Sequence, residues 1–213
     1  MGNEVRMTKR QIIEEPCEVK VSSTVLKTSG TGDSLAEFNN LAASDLQEAN
    51  LSRTNLRDAN LSDTNLKDAD LREAELTAAN LSRVILTGAK LQKVNLQSSK
   101  LNNANLNGVN LSDANLMYAN LSEASLKKAD MRGANLQQAN LQGSDLTEAD
   151  MRGASLQQAN LQESNLTEAD FRGANLSNAN LEKANLKGAN ISGATLDYAK
   201  LTGAIMPDGT THE

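Results

Sequence analysis

Only one cysteine, Cys17, occurs in the chain, so no intrachain disulfide can form and a secreted disulfide scaffold is excluded. Aromatic residues make up 2% of the sequence and tryptophan is absent, which argues against a globular core built on large rings. No apolar run approaches the length of a transmembrane helix, and no amphipathic helix suited to a membrane surface is evident. The first residues lack the apolar stretch of a signal peptide, so the expected location is cytoplasmic.

Catalytic signatures are missing as well. The single histidine, His212, stands second from the end, with no cysteine near it. That leaves no support for a His- or Cys-based metal site, and no Ser/His/Asp or Cys/His set. Neither phosphate-binding glycine loop, G-x-x-x-x-G-K-[ST] or G-x-G-x-x-G, is present. Acids are plentiful, but a catalytic pair with shifted titration needs burial, and these acids fall at outward positions. The sequence reads as a non-enzyme, with no catalytic, cofactor-binding or metal-binding residues and no cofactor.

What the chain does contain is a frame. Every fifth residue from Leu41 to Met206 is large and apolar, without one insertion; Met131, Met151, Phe171, Ile191 and Met206 alone replace Leu. From Ser44 to Ala204 the residue two before it is always small or β-branched, and over the same units the residue one before it is Asn or Asp at 24 of 33 positions. The two residues after it are polar, charged or Gly almost throughout.

A helix turns about 500° in five residues, so these leucines would wind around all its sides and leave no stripe to bury. A flat strand requires unbroken alternation, which the polar pair interrupts once per unit. A chain that alternates for three residues and then turns a corner satisfies the pattern: Ala and Leu point inward, Asn or Asp outward, and the polar pair makes the corner. Four corners close a coil of twenty residues, and this longer period is also present. Residues 131–150 and 151–170 match at 17 of 20 positions. Self-similarity of this kind marks a solenoid in which each repeat buries its apolar side against its neighbours.

The tandem A-(N/D)-L-x-x unit, as in Ala49-Asn50-Leu51-Ser52-Arg53, resembles the pentapeptide-repeat family over roughly residues 41–206. That resemblance implies an all-β fold, a right-handed quadrilateral β-helix of about 8 coils of 20 residues. At about 4.8 Å per coil the rod would be on the order of 40 Å long. The stretch Gly203–Gly209 also looks like the tail of many such proteins from photosynthetic bacteria.

The expected organisation has three parts. Residues 1–33 form a flexible or irregular segment, although alternation of Cys17, Val19 and Val21 after Pro16 suggests a short strand, and TSGTGD at 28–33 reads as a link. Residues 34–206 form the β-helix, with 34–40 a candidate helical cap on capping-box spacing. Residues 207–213 form a short tail, too short for a capping helix, in which Pro207 should stop strand pairing.

Charge divides the rod into bands. Acids exceed bases in 41–80 and in 111–170, while Arg83, Lys90, Lys93 and Lys100 form a collar between them. On one face Asp130, Asp150 and Asp170 precede the apolar column and Arg132, Arg152 and Arg172 follow it. They should alternate as a mainly structural charge ladder across strands. Met117, Tyr118 and Tyr198 are candidate partner-contact residues, the tyrosines sharing one face four coils apart.

The leading functional reading is a structural or protein-interaction module, a rigid solenoid whose outer faces bind an unknown protein partner. A second comes from the resemblance: some members of this family present a DNA-like acidic rod to a type II topoisomerase, DNA gyrase. The basic collar and the lack of a C-terminal dimerisation segment depart from that pattern. A third is an accessory or regulatory protein of a photosynthetic bacterium. Direct nucleic-acid binding is disfavoured by the acidic balance, no membrane role is read, and the oligomeric state is a monomer or an end-to-end homodimer.

Overall fold

The computed structural model describes residues 16–21, 24–29 and 40–213. In the last of these, every fifth residue from Asn40 to Asn185 bridges in parallel to the residue twenty positions on, ending with Asn185↔Ile205. Four such bridges per circuit define a four-sided coil. The sides are named here for their first leucines, Leu41, Leu46, Leu51 and Leu56.

The inward pair behaves as the spacing predicts. Every apolar position from Leu41 to Leu186 is buried, and so is every small position from Ala49 to Ala189. Each buried Leu contributes about 1.5–3 kcal/mol relative to an exposed one, repeated layer upon layer. Phe171, the bulkiest residue of the interior, is 0% exposed and stacks in the column of Met131 and Met151. Buried hydroxyls at the small positions donate to backbone carbonyls, Ser99 Oγ to Leu96 O at 2.7 Å and Ser164 Oγ to Leu161 O at 2.6 Å within the unit, and Thr64 Oγ1 to Leu41 O of the preceding coil at 2.8 Å.

The backbone of one unit shows why the coil closes with five residues. Taking Leu161 as the centre, its own N–H donates to Asn180 O in the next coil at 2.7 Å, and Glu163 N–H to Glu182 O at 2.9 Å. Asn160 N–H donates to Ala139 O in the previous coil at 2.9 Å. Ser164 N–H closes the turn onto Leu161 O at 3.2 Å. One donor remains, the N–H of Gln162 in the corner, and the Asn160 side chain takes it, Oδ1 accepting at 3.2 Å. The Asn or Asp read from sequence as an outward spacer is therefore a corner brace, an Asx turn that supplies an acceptor the coil lacks.

Corners carry a second constraint. The second residue after each apolar position has positive φ at every corner from Ala43 to Gly203, with Gln138 at 57° and Tyr198 at 59°. Such a backbone costs a non-glycine residue roughly 1–2 kcal/mol. The turn bond and the bond to the next coil offset it, so most corners tolerate a side chain.

At the C-terminal end the chain turns back. Gly209, at φ 87°, donates to Met206 O, and the following residues return antiparallel with Ile205 paired to Thr211. Met206 N–H donates to Thr210 O at 2.7 Å and His212 N–H to Ala204 O at 2.8 Å. The expected short tail is thus a returning strand laid on the Leu46 side. Pro207 does not end pairing, because its carbonyl still accepts from Gly188 N–H at 2.9 Å. Its missing N–H is the corner donor that Ile205, unlike Asn, could not have satisfied.

Near the other end, strand β1 (Pro16–Val21) pairs antiparallel with strand β2 (Thr24–Ser29) in the register Pro16↔Ser29. β2 includes Thr28 and Ser29, which sequence placed in a link. The candidate helix over 34–40 lies, but for Asn40, outside the described residues.

Two stability tests follow from this layering. Leu136→Ala should destabilise the fold by about 2–5 kcal/mol in chemical denaturation. Leu196→Ala, in the partly exposed last coil, should cost clearly less. Removing one brace by Asn160→Ala should cost about 1 kcal/mol, while Asn160→Asp should retain most of it. Equal losses at Leu136 and Leu196, or a neutral Asn160→Ala, would contradict these assignments.

Candidate functional surfaces

With the interior fixed by repetition, chemistry specific to this chain lies on the outward residues, and the Leu51 side is the most charged. Arg132 Nε donates to Asp130 Oδ1 at 2.8 Å and Nη2 to Oδ2 at 2.7 Å, a bidentate pair within one coil. Arg152 with Asp150 and Arg172 with Asp170 repeat that geometry. Contacts to the next coil are longer, Arg132 Nε to Asp150 at 3.6 Å and Arg152 Nε to Asp170 at 3.7 Å. The ladder expected to run across strands is primarily a series of rungs within strands.

The reason is the brace. Each Asp Oδ1 already accepts the N–H of the Arg two residues on, at 3.2 Å for Arg132, so the guanidinium folds back over the same carboxylate. Sequence reading missed a fourth rung, Asp70 with Arg72, which occupies the same column. Its signal was the sixty-residue spacing to Asp130 and Arg132, obscured by Lys90 and Asn110 between them.

Hydrogen bonds from Arg152 hold the Asp150 carboxyl below its ordinary range against an opposing effect of partial burial, and Asp130 and Asp170 are lowered likewise by Arg132 and Arg172. Each arginine is raised in turn by its partner.

The basic collar is partly neutralised. Arg83 grips Asp63 of the preceding coil, with Nε and Nη2 each at 2.7 Å from a carboxylate oxygen. Elsewhere single pairs link coils, such as Arg53 with Glu73 at 3.0 Å and Lys127 with Asp145 at 3.1 Å. Among the described residues no group of three or more His, Cys, Asp and Glu is placed to hold a metal ion, and no helix is long and apolar enough to cross a membrane.

Tyr118 and Tyr198 sit at equivalent corners of the Leu56 side, 49% and 88% exposed, and Met117 beside Tyr118 is half-buried. Ile85 and Ile205, 42% and 36% exposed, replace the brace residue on the Leu46 side. In the last coil Ile191, Leu196, Leu201 and Met206 are only partly covered, unlike every apolar position before them.

The rungs generate a pH test with a defined sign. A carboxyl lowered on folding contributes stability that is present above its unfolded value, about 3.9, and lost as pH falls through its lower folded value. Carbon-detected titration should therefore place the Asp150 midpoint below about 3.9. Arg152→Gln should move it upward and flatten the acid limb of the stability profile. An unchanged midpoint in that variant would show that the arginine is not the cause.

Comparison with known proteins agrees with this geometry. A family model described as pentapeptide repeats (8 copies) matches residues 40–72, 64–103, 95–133, 129–167 and 169–206. Among solved structures, HetL from the cyanobacterium Nostoc sp. strain PCC 7120, a pentapeptide repeat protein involved in heterocyst differentiation regulation, is 35% identical. That match covers 82% of this chain and 92% of HetL, with a TM-score of 0.43. A pentapeptide repeat protein from the Arabidopsis thaliana thylakoid lumen is 31% identical over 51% of this chain and 72% of its own, with a TM-score of 0.34. Trypsin-treated QnrB1, a plasmid-mediated fluoroquinolone resistance protein, is 18% identical over 74% of this chain and 79% of its own, with a TM-score of 0.59; it shows the fold alone. No curated protein matches the chain. The unbroken five-residue frame and the family model spanning it place the chain in the pentapeptide-repeat family, whose fold is the right-handed quadrilateral β-helix.

Proposed function

We propose that this chain is a non-enzymatic interaction module, a stiff rod that holds a protein partner at its last coil. The observation that carries the reading is the change in burial along one repeated position. Thirty consecutive apolar sites, Leu41 to Leu186, are buried, whereas Ile191, Leu196, Leu201 and Met206 are only partly so. Tyr198 stands 88% exposed beside them, and an aromatic ring next to apolar surface is the composition of a protein-contact core.

Of the three contact residues singled out from sequence, Tyr198 supports this reading. Met117 and Tyr118 lie four coils away on a surface of different character. The identity to HetL, a protein described as involved in regulation, supports a regulatory setting for the partner. Topoisomerase modulation by charge mimicry is less well supported. The Asp130, Asp150 and Asp170 carboxylates are each matched by an arginine, and a long stretch of the Leu56 side bears no charge.

The test is affinity capture from the native host with the wild-type chain and with a Leu196→Ser/Tyr198→Ala double variant. At least a tenfold loss of one captured protein in the variant, with the fold intact by circular dichroism, is expected. Identical capture by both chains would remove the last coil as the docking site.

A further inference from the structure

One side of the rod differs from the other three in a way that neither the fold nor the last coil explains. From Asn95 to Asn178, through five successive coils, the Leu56 side carries no charged residue at an outward position. It presents Asn, Gln and Ser side chains, interrupted only by Met117 and Tyr118. Over the same coils the Leu51 side carries the arginine rungs, the Leu46 side carries Lys127 with Asp145, and the Leu41 side carries Glu123 and Glu163. Charge is admissible at these corners in general: Glu148, Glu163 and Glu168 occupy the backbone conformation of Gln138 and Gln158. Solubility alone would not clear charge from one side while keeping it on the others.

We propose that this uncharged side binds a neutral oligosaccharide laid along the rod axis. Its dimensions select a slender ligand. Five coils at about 4.8 Å and a side about 10 Å across give roughly 240 Å². A stable protein contact needs about 800 Å² per partner, so neither a second copy nor a globular protein is held here.

Recognition must also run through side chains. The strand backbone of this side is already paired between coils, as in Leu136 N–H to Ser155 O and Leu156 N–H to Asn175 O, so no strand can be added to it. An extended peptide advances about 3.3 Å per residue and falls out of step with rows about 4.8 Å apart. A sugar unit in an extended glycan advances by about one row, so successive units meet successive rows.

The chemistry is matched as well. Carboxamides and hydroxyls each combine donor and acceptor, as sugar hydroxyls do. The half-exposed Tyr118 ring, with Met117 beside it, offers an apolar platform for the carbon face of a sugar. Covering a charged side chain with a neutral ligand would strand it away from water, which accounts for the absence of charge.

The experiment is an NMR titration of the full chain with cellohexaose and with maltohexaose. A hexameric galacturonate and a neutral Gln/Ser-rich peptide serve as the competing ligand classes. Saturable shifts with at least one neutral hexasaccharide, centred on Tyr118, Gln138 and Gln158, are expected. Tyr118→Ala and Gln138→Glu should each weaken that binding at least tenfold. Arg152→Gln, on the Leu51 side, should leave it unchanged, and so should Tyr198→Ala, which reports only on the protein-docking end. The proposal is overturned if neither sugar binds below about 10 mM, if only the polyanion or the peptide binds this side, or if the two face variants bind like wild type.

Discussion

The structure depends on one hydrogen bond repeated along the rod: the carbonyl or carboxylate oxygen of Asn or Asp accepting the N–H two residues later, at the corner. Four of the five amide donors in each unit are satisfied by neighbouring coils or by the turn itself. The fifth points into the corner, where no backbone oxygen reaches it. Ser112 N–H to Asn110 Oδ1 at 2.9 Å and Thr147 N–H to Asp145 Oδ1 at 3.1 Å show the amide and the carboxylate serving equally. Unsatisfied donors are expensive when water is excluded, and a square coil has a corner every five residues.

That bond also organises the exterior. Because the brace residue is held close to the backbone, its remaining atoms form columns. Asn160 Nδ2 reaches Asn140 Oδ1 at 3.1 Å, and Asn140 Nδ2 reaches Asn120 Oδ1 at 3.2 Å, a ladder of amides on the Leu41 side. Where the brace is Asp and an Arg follows, the same geometry turns the column into ion-pair rungs. The corner residues beyond the brace are the freest in the unit, and there the chain varies most: glycine on the Leu51 side, glutamine and tyrosine on the Leu56 side. Functional differences between such rods therefore lie in which side chains occupy these columns.

Most of the fold was legible in the sequence because its determinants are local and repeated. Ala139 and Leu141 face inward on alternation alone, and the twenty-residue period follows from Met131, Met151 and Phe171. What escaped was hydrogen-bond direction. Asn140 looks like any outward polar residue until the unpaired Gln142 N–H is counted, although Asn or Asp at most such positions is a stronger preference than exposure requires. For the same reason the Asp130 and Arg132 pair was expected across strands. Pro207 lacks a donor, which suggests a stop, but its carbonyl carries the pairing on. Spacing placed Tyr118 and Tyr198 on one side, but their different surroundings, an uncharged amide surface and a partly open coil, emerge only with the sides compared in space.

Amide hydrogen exchange distinguishes braced from unbraced corners within one molecule. Gln142 and Gln162 follow Asn140 and Asn160 and are bonded to them, whereas Thr87, Gln92 and Asn102 follow Ile85, Lys90 and Lys100, which offer no such acceptor. The amides of Gln142 and Gln162 should exchange slowly, and those of Thr87, Gln92 and Asn102 much faster. Uniform exchange across all five corners would show that the Asn brace does not carry the coil.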